Sequence, residues 1–373
     1  MAAGTALKDR FYNACKVRQL ADRFTAADPG FDGPGFQAQV MARLPELELK
    51  QRMAWIAACL DRQLPGPLSE IAPVLRAALP PPLDPTLTDG DFGDFIYAPL
   101  GELVVMRGLD TPDLALDLLC DITQRFSMEW ALRPFLNRWP DEVLARLRHW
   151  SRHNNYHVRR LVSEGTRPRL PWGHKIGLDV ATPLPLLDRL HADPTRYVTR
   201  SVANHLNDIC RTRPDLVMDR LSDWADRGGQ DPVERAWMTR HALRGLIKAG
   251  NPRALAMLGF DPGATIDVVA FEVPPHADIG GKLALRVALC APKEAAAMVD
   301  VVLWRRRADG RLSPRVFKVK QLELPAGRRV DLERTLPLRG QATTYRLHPG
   351  THRIDLQVNG RTLASAGFEL RPA

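Results

Sequence analysis

Three short runs recur at a fixed interval of 40 residues in the middle of the chain. They are His157-Val158-Arg159-Arg160-Leu161-Val162, Tyr197-Val198-Thr199-Arg200-Ser201-Val202 and Trp237-Met238-Thr239-Arg240-His241-Ala242. In each, an apolar residue is followed two positions later by arginine and four positions later by a small apolar residue. A period near 40 built from helix pairs is the mark of HEAT or armadillo repeats: each pair buries one face on its neighbours, and the stack becomes a solenoid with a concave surface. If equivalent positions face alike, Arg160, Arg200 and Arg240 form a row. Upstream, Leu7 to Phe24 has the rhythm of an amphipathic helix, and a second helix follows the Phe31-to-Phe36 turn. Leu49, Met53, Ile56, Ala57 and Leu60 recur at helical spacing, and Leu100 to Phe126 is again helical, with Pro112 suited to a first turn after Thr111. Between them Leu79 to Gly93, rich in Pro, Asp and Gly, reads as a surface loop.

The helical pattern ends near Leu258. Asn251-Pro252 opens a short last helix, and Gly259-Phe260-Asp261-Pro262-Gly263 breaks it. Beyond that point the period falls to two. Ile266 to Val273, Lys282 to Ala291, Met298 to Arg307, Arg315 to Leu324, Val330 to Leu338 and Arg353 to Phe368 read as short strands between Gly or Pro turns, and Asn359-Gly360 is a two-residue hairpin signal. About seven such strands suit a small sandwich of immunoglobulin type without its cysteine pair. The expected fold class is therefore mainly α: a HEAT-like helical-repeat solenoid over residues 1–260, then an Ig-like β-sandwich over 264–373.

Charge is unevenly spread. The 373-residue chain carries a formal +9, and from Phe126 to Arg213 there are 15 Lys and Arg against 8 Asp and Glu. Six of the ten histidines, His149, His153, His157, His174, His191 and His205, fall in the same window. Basic charge concentrated in one region is the footprint of a polyanion partner, nucleic acid first. The five cysteines form no C-x-x-C pair, which argues against a disulfide framework or a zinc site and suits a reducing cytoplasm. The opening MAAGTALKDRF lacks an apolar core, and no run approaches the roughly 18 apolar residues of a membrane span. A cytoplasmic monomer that needs neither metal nor cofactor, and no membrane, is expected.

Within the basic window, Val158 to Trp172 reads VRRLVSEGTRPRLPW. As a helix it sets Arg160 and Glu164 on one polar face, with Val158, Leu161 and Val162 turned to the core. Pro168 and Pro171 prevent the helix from continuing, so an arginine-rich loop ending in Trp172 lies beside an acidic helix end. Two further runs accompany it: Phe126-Ser127-Met128-Glu129-Trp130-Ala131-Leu132-Arg133-Pro134-Phe135-Leu136 upstream, and Ser201-Val202-Ala203-Asn204-His205-Leu206-Asn207-Asp208-Ile209 downstream. Together the three resemble the AlkC branch of the AlkC/AlkD DNA glycosylases, which remove alkylated bases. The second and third runs match its pattern nearly letter for letter. The first departs at Met128, Trp130 and Leu132 but keeps Glu129 and Arg133.

That resemblance implies excision of cationic N-alkylated bases (3-methyladenine, 3-methylcytosine and, by extension, 7-methylguanine) from duplex DNA at the bacterial-type nucleoid, without turning the base out into a pocket. A base alkylated on a ring nitrogen is already a good leaving group. The enzyme must stabilise the developing sugar cation and deliver water, and carboxylates and an aromatic face serve both ends. By resemblance Glu164 and Trp172 meet the lesion, Glu129 and Asp208 are further acidic members, and any of the three carboxylates can fill the catalytic role. Arg160, Arg167 and Arg169, with Arg200 and Asn204 on the next repeat, would hold phosphates. In the sandwich, Tyr345 to His352 forms a basic loop whose His348 and His352 could touch a backbone.

Each residue also has a structural reading. Glu129 can pair with Arg133, and Asp208 with Arg211. Asn204 can orient Asp208 instead of touching DNA. The histidines lack metal-ligand spacing and suit a basic surface, and Trp130, Trp139 and Trp150 suit helix interfaces. For the whole chain the alternative is a HEAT-repeat scaffold that binds nucleic acid or an acidic protein without chemistry. Glutamates inside a basic groove favour the enzyme, because a pure phosphate binder gains nothing from burying acid there.

Overall fold

The computed structural model describes residues 6–87, 89, 92–342 and 345–372. The chain divides into two compact units, residues 1–213 with 220–242, and residues 214–219 with 243–373. Among the described residues no helix is long and apolar enough to cross a membrane.

The first unit is helical. Its elements are α1 (Leu7–Phe11), α2 (Ala14–Ala27), α3 (Gly33–Arg43), α4 (Leu49–Gln63), α5 (Leu68–Ala78), α6 (Ala98–Gly108) and α7 (Pro112–Thr123). They are followed by α8 (Glu129–Arg138), α9 (Pro140–Trp150), α10 (Tyr156–Gly165), α11 (Leu184–Leu190), α12 (Arg196–Ile209), α13 (Pro214–Arg227), whose residues 214–219 count with the second unit, and α14 (Pro232–Ala242). Alternate helices α4, α6, α8, α10, α12 and α14 pack side by side in chain order, as stacked repeats require. The 40-residue recurrence fixes the last three: Val158, Val198 and Met238 are buried at equivalent points of α10, α12 and α14. Along α12, Val198, Val202, Leu206 and Ile209 form one buried stripe, and this face packs on α10 and α14.

Some expectations need correction. The stretch from Leu7 to Phe24 is two helices, because the Asn13 side chain accepts from the Lys16 amide and caps a new start. Leu100 to Phe126 also holds two helices, and here Pro112 opens the second after Thr111 as expected. The histidines do not form a shared basic surface. His157, His191 and His205 are buried, His157 against Tyr156 and Tyr197 and His191 stacked on Trp224, because imidazole packs as an aromatic between the repeats. Trp150 is buried as expected, and Trp139 donates from Nε1 to the Leu109 carbonyl.

The second unit begins with α15 (Arg244–Lys248) and α16 (Pro252–Ala256), the latter capped by Asn251. Among the described residues ten strands follow: β1 (Asp267–Glu272), β2 (His276–Asp278), β3 (Lys282–Cys290), β4 (Ala295–Arg306), β5 (Leu312–Leu324), β6 (Val330–Pro337), β7 (Gln341–Ala342), β8 (Tyr345–Arg346), β9 (Gly350–Val358) and β10 (Arg361–Arg371). The order β1-β3-β6 makes one sheet and β2-β10-β9-β4-β5 a second, antiparallel except for β2 beside β10, while β7 pairs with β8 alone. Alternate residues such as Leu283, Leu285 and Val287 of β3, Val299, Val301 and Leu303 of β4, and Ile354, Leu356 and Val358 of β9 form a common core.

The β9–β10 hairpin turns on Asn359 and Gly360, both at positive φ, 46° and 79°. Asn359 is buried and does more than turn the chain. Its Nδ2 donates to the carbonyls of Asp261 and Ala296 at 3.0 and 2.9 Å, and its Oδ1 accepts from the Met298 amide at 2.8 Å. Asn359→Ala therefore removes three buried hydrogen bonds and leaves alanine in a left-handed conformation. Chemical denaturation should show this unit destabilised by roughly 3 kcal/mol; a loss under about 1 kcal/mol would mean that the turn, not the side chain, fixes the hairpin.

Candidate active site

The motif residues converge where α8, α10 and α12 meet. The Asn155 side chain accepts from the His157 amide and starts α10, which sets Arg160 and Glu164 one turn apart, Nη2 to Oε1 at 3.5 Å. Glu164 Oε1 also accepts from Arg167 Nη1 at 2.6 Å, and its Oε2 accepts from the Ser201 hydroxyl of α12 at 2.6 Å. Arg167 Nε in turn donates to Asp208 Oδ2 at 2.9 Å. On the other side Arg160 Nη1 donates to Glu129 Oε2 at 3.1 Å, and Ser127 bonds both partners of that pair. Glu129, Arg160, Glu164, Arg167 and Asp208 thus form one chain of charges.

Burial alone would push the Glu164 carboxyl up, since its side chain is only 8% exposed. Arg160 and Arg167, together with the Ser201 and Arg167 hydrogen bonds, outweigh that and hold it below the ordinary carboxylate range. Burial likewise works against the charge of both arginines, and the surrounding carboxylates, Glu164 first, more than reverse it. Glu164 is therefore an ionised carboxylate, largely buried at the edge of a cavity. Glu129 differs in that, among the described residues, no hydrogen bond reaches its Oε1.

Arg133, buried in the middle of α8, is a residue whose role the sequence hid. It does not pair with Glu129. Its Nη1 donates to the carbonyls of Gly165 and Arg167 at 3.0 and 2.9 Å, and its Nε to that of His174, which binds both ends of the arginine-rich loop to α8. Burial, with Arg167 nearby, lowers its pKa to about 10, still charged at neutral pH. At Gly173 a Cβ would sit 2.8 Å from Arg133 Cδ, so the loop crosses this guanidinium only with glycine there. The preceding Trp172 is held at φ 73°, uncommon for a residue with a side chain. Its carbonyl accepts from Lys50 Nζ at 2.7 Å, and the residue is 59% exposed.

Two cavities flank Glu129. The first, about 320 Å³, is lined by Phe92, Glu129, Arg160, Glu164, Arg200 and Asn204. The second, about 440 Å³, holds Trp172, Trp130, Glu102 and Tyr12. Phe95, Phe126 and Glu129 belong to both, so Glu164 and Trp172 stand on adjoining cavities and not on one.

Of the remaining candidates, Arg200 shares the Tyr197 ring with Arg160, their guanidinium carbons 5.7 and 4.9 Å from its centroid, and pairs with Asp89 at 2.7 Å. Asn204 Oδ1 lies 2.9 Å from His241 Nε2. Asp208 pairs with Arg167, not Arg211, and Arg169 is exposed. In the second unit the His352 ring is buried against Phe368, with Nε2 directed at the His348 carbonyl, while His348 is half-buried. Among the described residues no group of His, Cys, Asp or Glu is arranged to hold a metal ion.

These features define a class: helical-repeat proteins that keep carboxylates ionised among guanidinium groups beside aromatic cavities. Over 98% of its length the chain is similar to the alkylpurine DNA glycosylase AlkC of Pseudomonas fluorescens, solved bound to DNA containing an abasic site analogue. The TM-score is 0.84, with 35% identity and 99% of that chain covered. It is 30% identical to the YhaZ protein of Bacillus subtilis (strain 168) over 364 residues, 96% of this chain and 98% of that one. The family model described as "Uncharacterised protein YhaZ, C-terminal Ig-like domain" matches residues 267–372. The chain belongs to the AlkC branch of the AlkC/AlkD-like DNA alkylation repair glycosylase family, with its helical-repeat fold and C-terminal Ig-like domain.

His205 ties this site to its scaffold. Its Nδ1 donates to the Ser163 carbonyl at 3.0 Å, which leaves Nε2 unprotonated and, among the described residues, without a partner. Burial, and then Arg167 and Arg133, hold its pKa down to about 3 despite the Ser163 bond. The unfolded chain takes up a proton below pH 6.5 that the folded chain refuses, so stability is lost as pH falls from 6.5 toward 3. His205→Asn keeps a donor for Ser163 and should flatten the slope of unfolding free energy between about pH 6 and 4 by about 1.4 kcal/mol per pH unit in urea titrations. An unchanged slope would show that His205 protonates within the fold.

Proposed function

We propose that the protein is a monofunctional DNA glycosylase that hydrolyses the N-glycosidic bond of cationic N-alkylated bases in duplex DNA, in base excision repair. The expected bases are 3-methyladenine and 3-methylcytosine, with 7-methylguanine as a further substrate. The observation that carries this reading is the ionised Glu164, held between Arg160 and Arg167 next to the Glu129 carboxylate. When the bond breaks, its electron pair returns to the base, which leaves neutral, and the positive charge passes to the sugar. Fixed carboxylates stabilise that charge without reorganising. Water then adds to the anomeric carbon and gives up a proton, for which Glu129, with an open oxygen, is the suited acceptor beside Glu164. Asp208 acts through Arg167, and Trp172 offers its exposed face to the lesion.

A base that departs this readily needs little help from a pocket, so the enzyme works without turning it out of the helix beforehand. Arg160 and Arg167 direct their donors at carboxylates and are assigned to keep those groups charged. Phosphate contact then falls to the exposed Arg169 and to Arg200, whose pairing with Asp89 near the surface is worth no more than about 1 kcal/mol and can be exchanged. Asn204 is assigned to the same strand. Residues 243–373 carry 21 Lys and Arg against 12 Asp and Glu, so the Ig-like unit is a second basic body suited to a DNA backbone, with His348 in its loop.

The test is release of free base from methylated duplex by the purified protein, with 3-methyladenine, 3-methylcytosine and 7-methylguanine substrates prepared separately. Glu164→Gln should lower release about a hundredfold or more while affinity for DNA containing an abasic analogue stays within about twofold. A scaffold would bind intact and methylated duplex alike and free no base, and full activity in the glutamine variant would mean that another carboxylate bears the charge.

A further inference from the structure

The second cavity contains groups that the excision reading leaves without a task. Tyr12, from the turn between α1 and α2, is buried, and its hydroxyl has no hydrogen-bond partner among the described residues. Burial, and then Glu102 and Asp94, suppress its ionisation, so it remains an O–H donor. A buried hydroxyl without a partner is costly, and a ligand atom is one way of satisfying it. Glu102 of α6 accepts from Trp130 Nε1 at 3.0 Å through Oε1, while among the described residues its Oε2 has no bond. The aromatic residues Trp130, Trp172, Phe95 and Phe126 line the same space. The volume, about 440 Å³, is in the range that small ligands fill.

We propose that this cavity binds the base after excision: a planar methylated purine or pyrimidine that stacks on the aromatic walls, receives the Tyr12 hydroxyl on a ring nitrogen or carbonyl, and donates its exocyclic amine to Glu102. The inference rests on the glycosylase reading and adds the destination of the product. The two cavities share Phe95, Phe126 and Glu129, so a base freed beside Glu164 and Glu129 crosses only that wall. Because the base arrives after its bond has broken, the site requires no prior extrusion. The freed base is neutral, so stacking and the two hydrogen bonds hold it without net charge attraction.

The probe is free 3-methyladenine, titrated calorimetrically into the full chain at pH 7.5, with release from methylated duplex measured on the same preparation. Saturable binding is expected, weakened about fivefold or more in Tyr12→Phe and again in Glu102→Gln, the effect of losing one hydrogen bond each. Tyr12→Phe keeps the ring and deletes only an unpartnered hydroxyl, so its fold stands. If the protein frees base but shows no saturable binding, or binds equally in both variants, the product site is overturned and the glycosylase reading stands. Binding that both variants weaken, in a protein that frees no base, removes the glycosylase reading and with it the product role.

Discussion

The structure depends on two guanidinium groups shared among three carboxylates. Arg160 and Arg167 link Glu129, Glu164 and Asp208, and through them α8, α10, α12 and the loop after α10. A charge removed from water is tolerated only when it is paired and hydrogen-bonded, and removal of one partner from such a set costs about 3–5 kcal/mol. The repeats therefore cannot slide past one another without breaking it. The same pairing that aligns the helices keeps the carboxylates ionised, so register and electrostatics are one constraint.

What the sequence made readable was whatever repeats or lies close along the chain. The interval of 40 residues announced stacked helix pairs because one buried position recurs in each, and the change of period after Gly263 announced the sandwich. Asn359-Gly360 fixed its last hairpin. Arg160 and Glu164 were visible as neighbours because four residues bring side chains together on a helix. The rest of the site was hidden for the complementary reason. Nothing in the spacing of Arg133 says that it donates to carbonyls 32, 34 and 41 residues away, or that Tyr12 and Glu102 share a cavity with Trp172. Such contacts exist only once the repeats have stacked. Helical spacing even suggested the wrong partners, Arg133 for Glu129 and Arg211 for Asp208, where helices neighbouring in space outcompete those neighbouring in sequence.

Positive charge is likewise arranged in two bodies. The window from Phe126 to Arg213 and the unit from 243 onward both carry an excess of Lys and Arg, while residues 1–125 hold 12 Lys and Arg against 17 Asp and Glu. Inside the first body much of that charge is consumed by internal pairing, so the total overstates what a phosphate would meet. Exposed cations remain at Arg148, Arg152, Arg169, Lys175, Arg189, Arg211 and Arg213.

The left-handed backbone at Trp172 sets stability against use. An L-residue with a side chain pays about 1–2 kcal/mol to remain in that region, a penalty that glycine escapes. The residue is more than half exposed, so packing offsets only part of the strain. Selection for thermal robustness alone would drift this position toward glycine and discard the ring, so a lineage that keeps tryptophan here is keeping a part that the fold would rather do without.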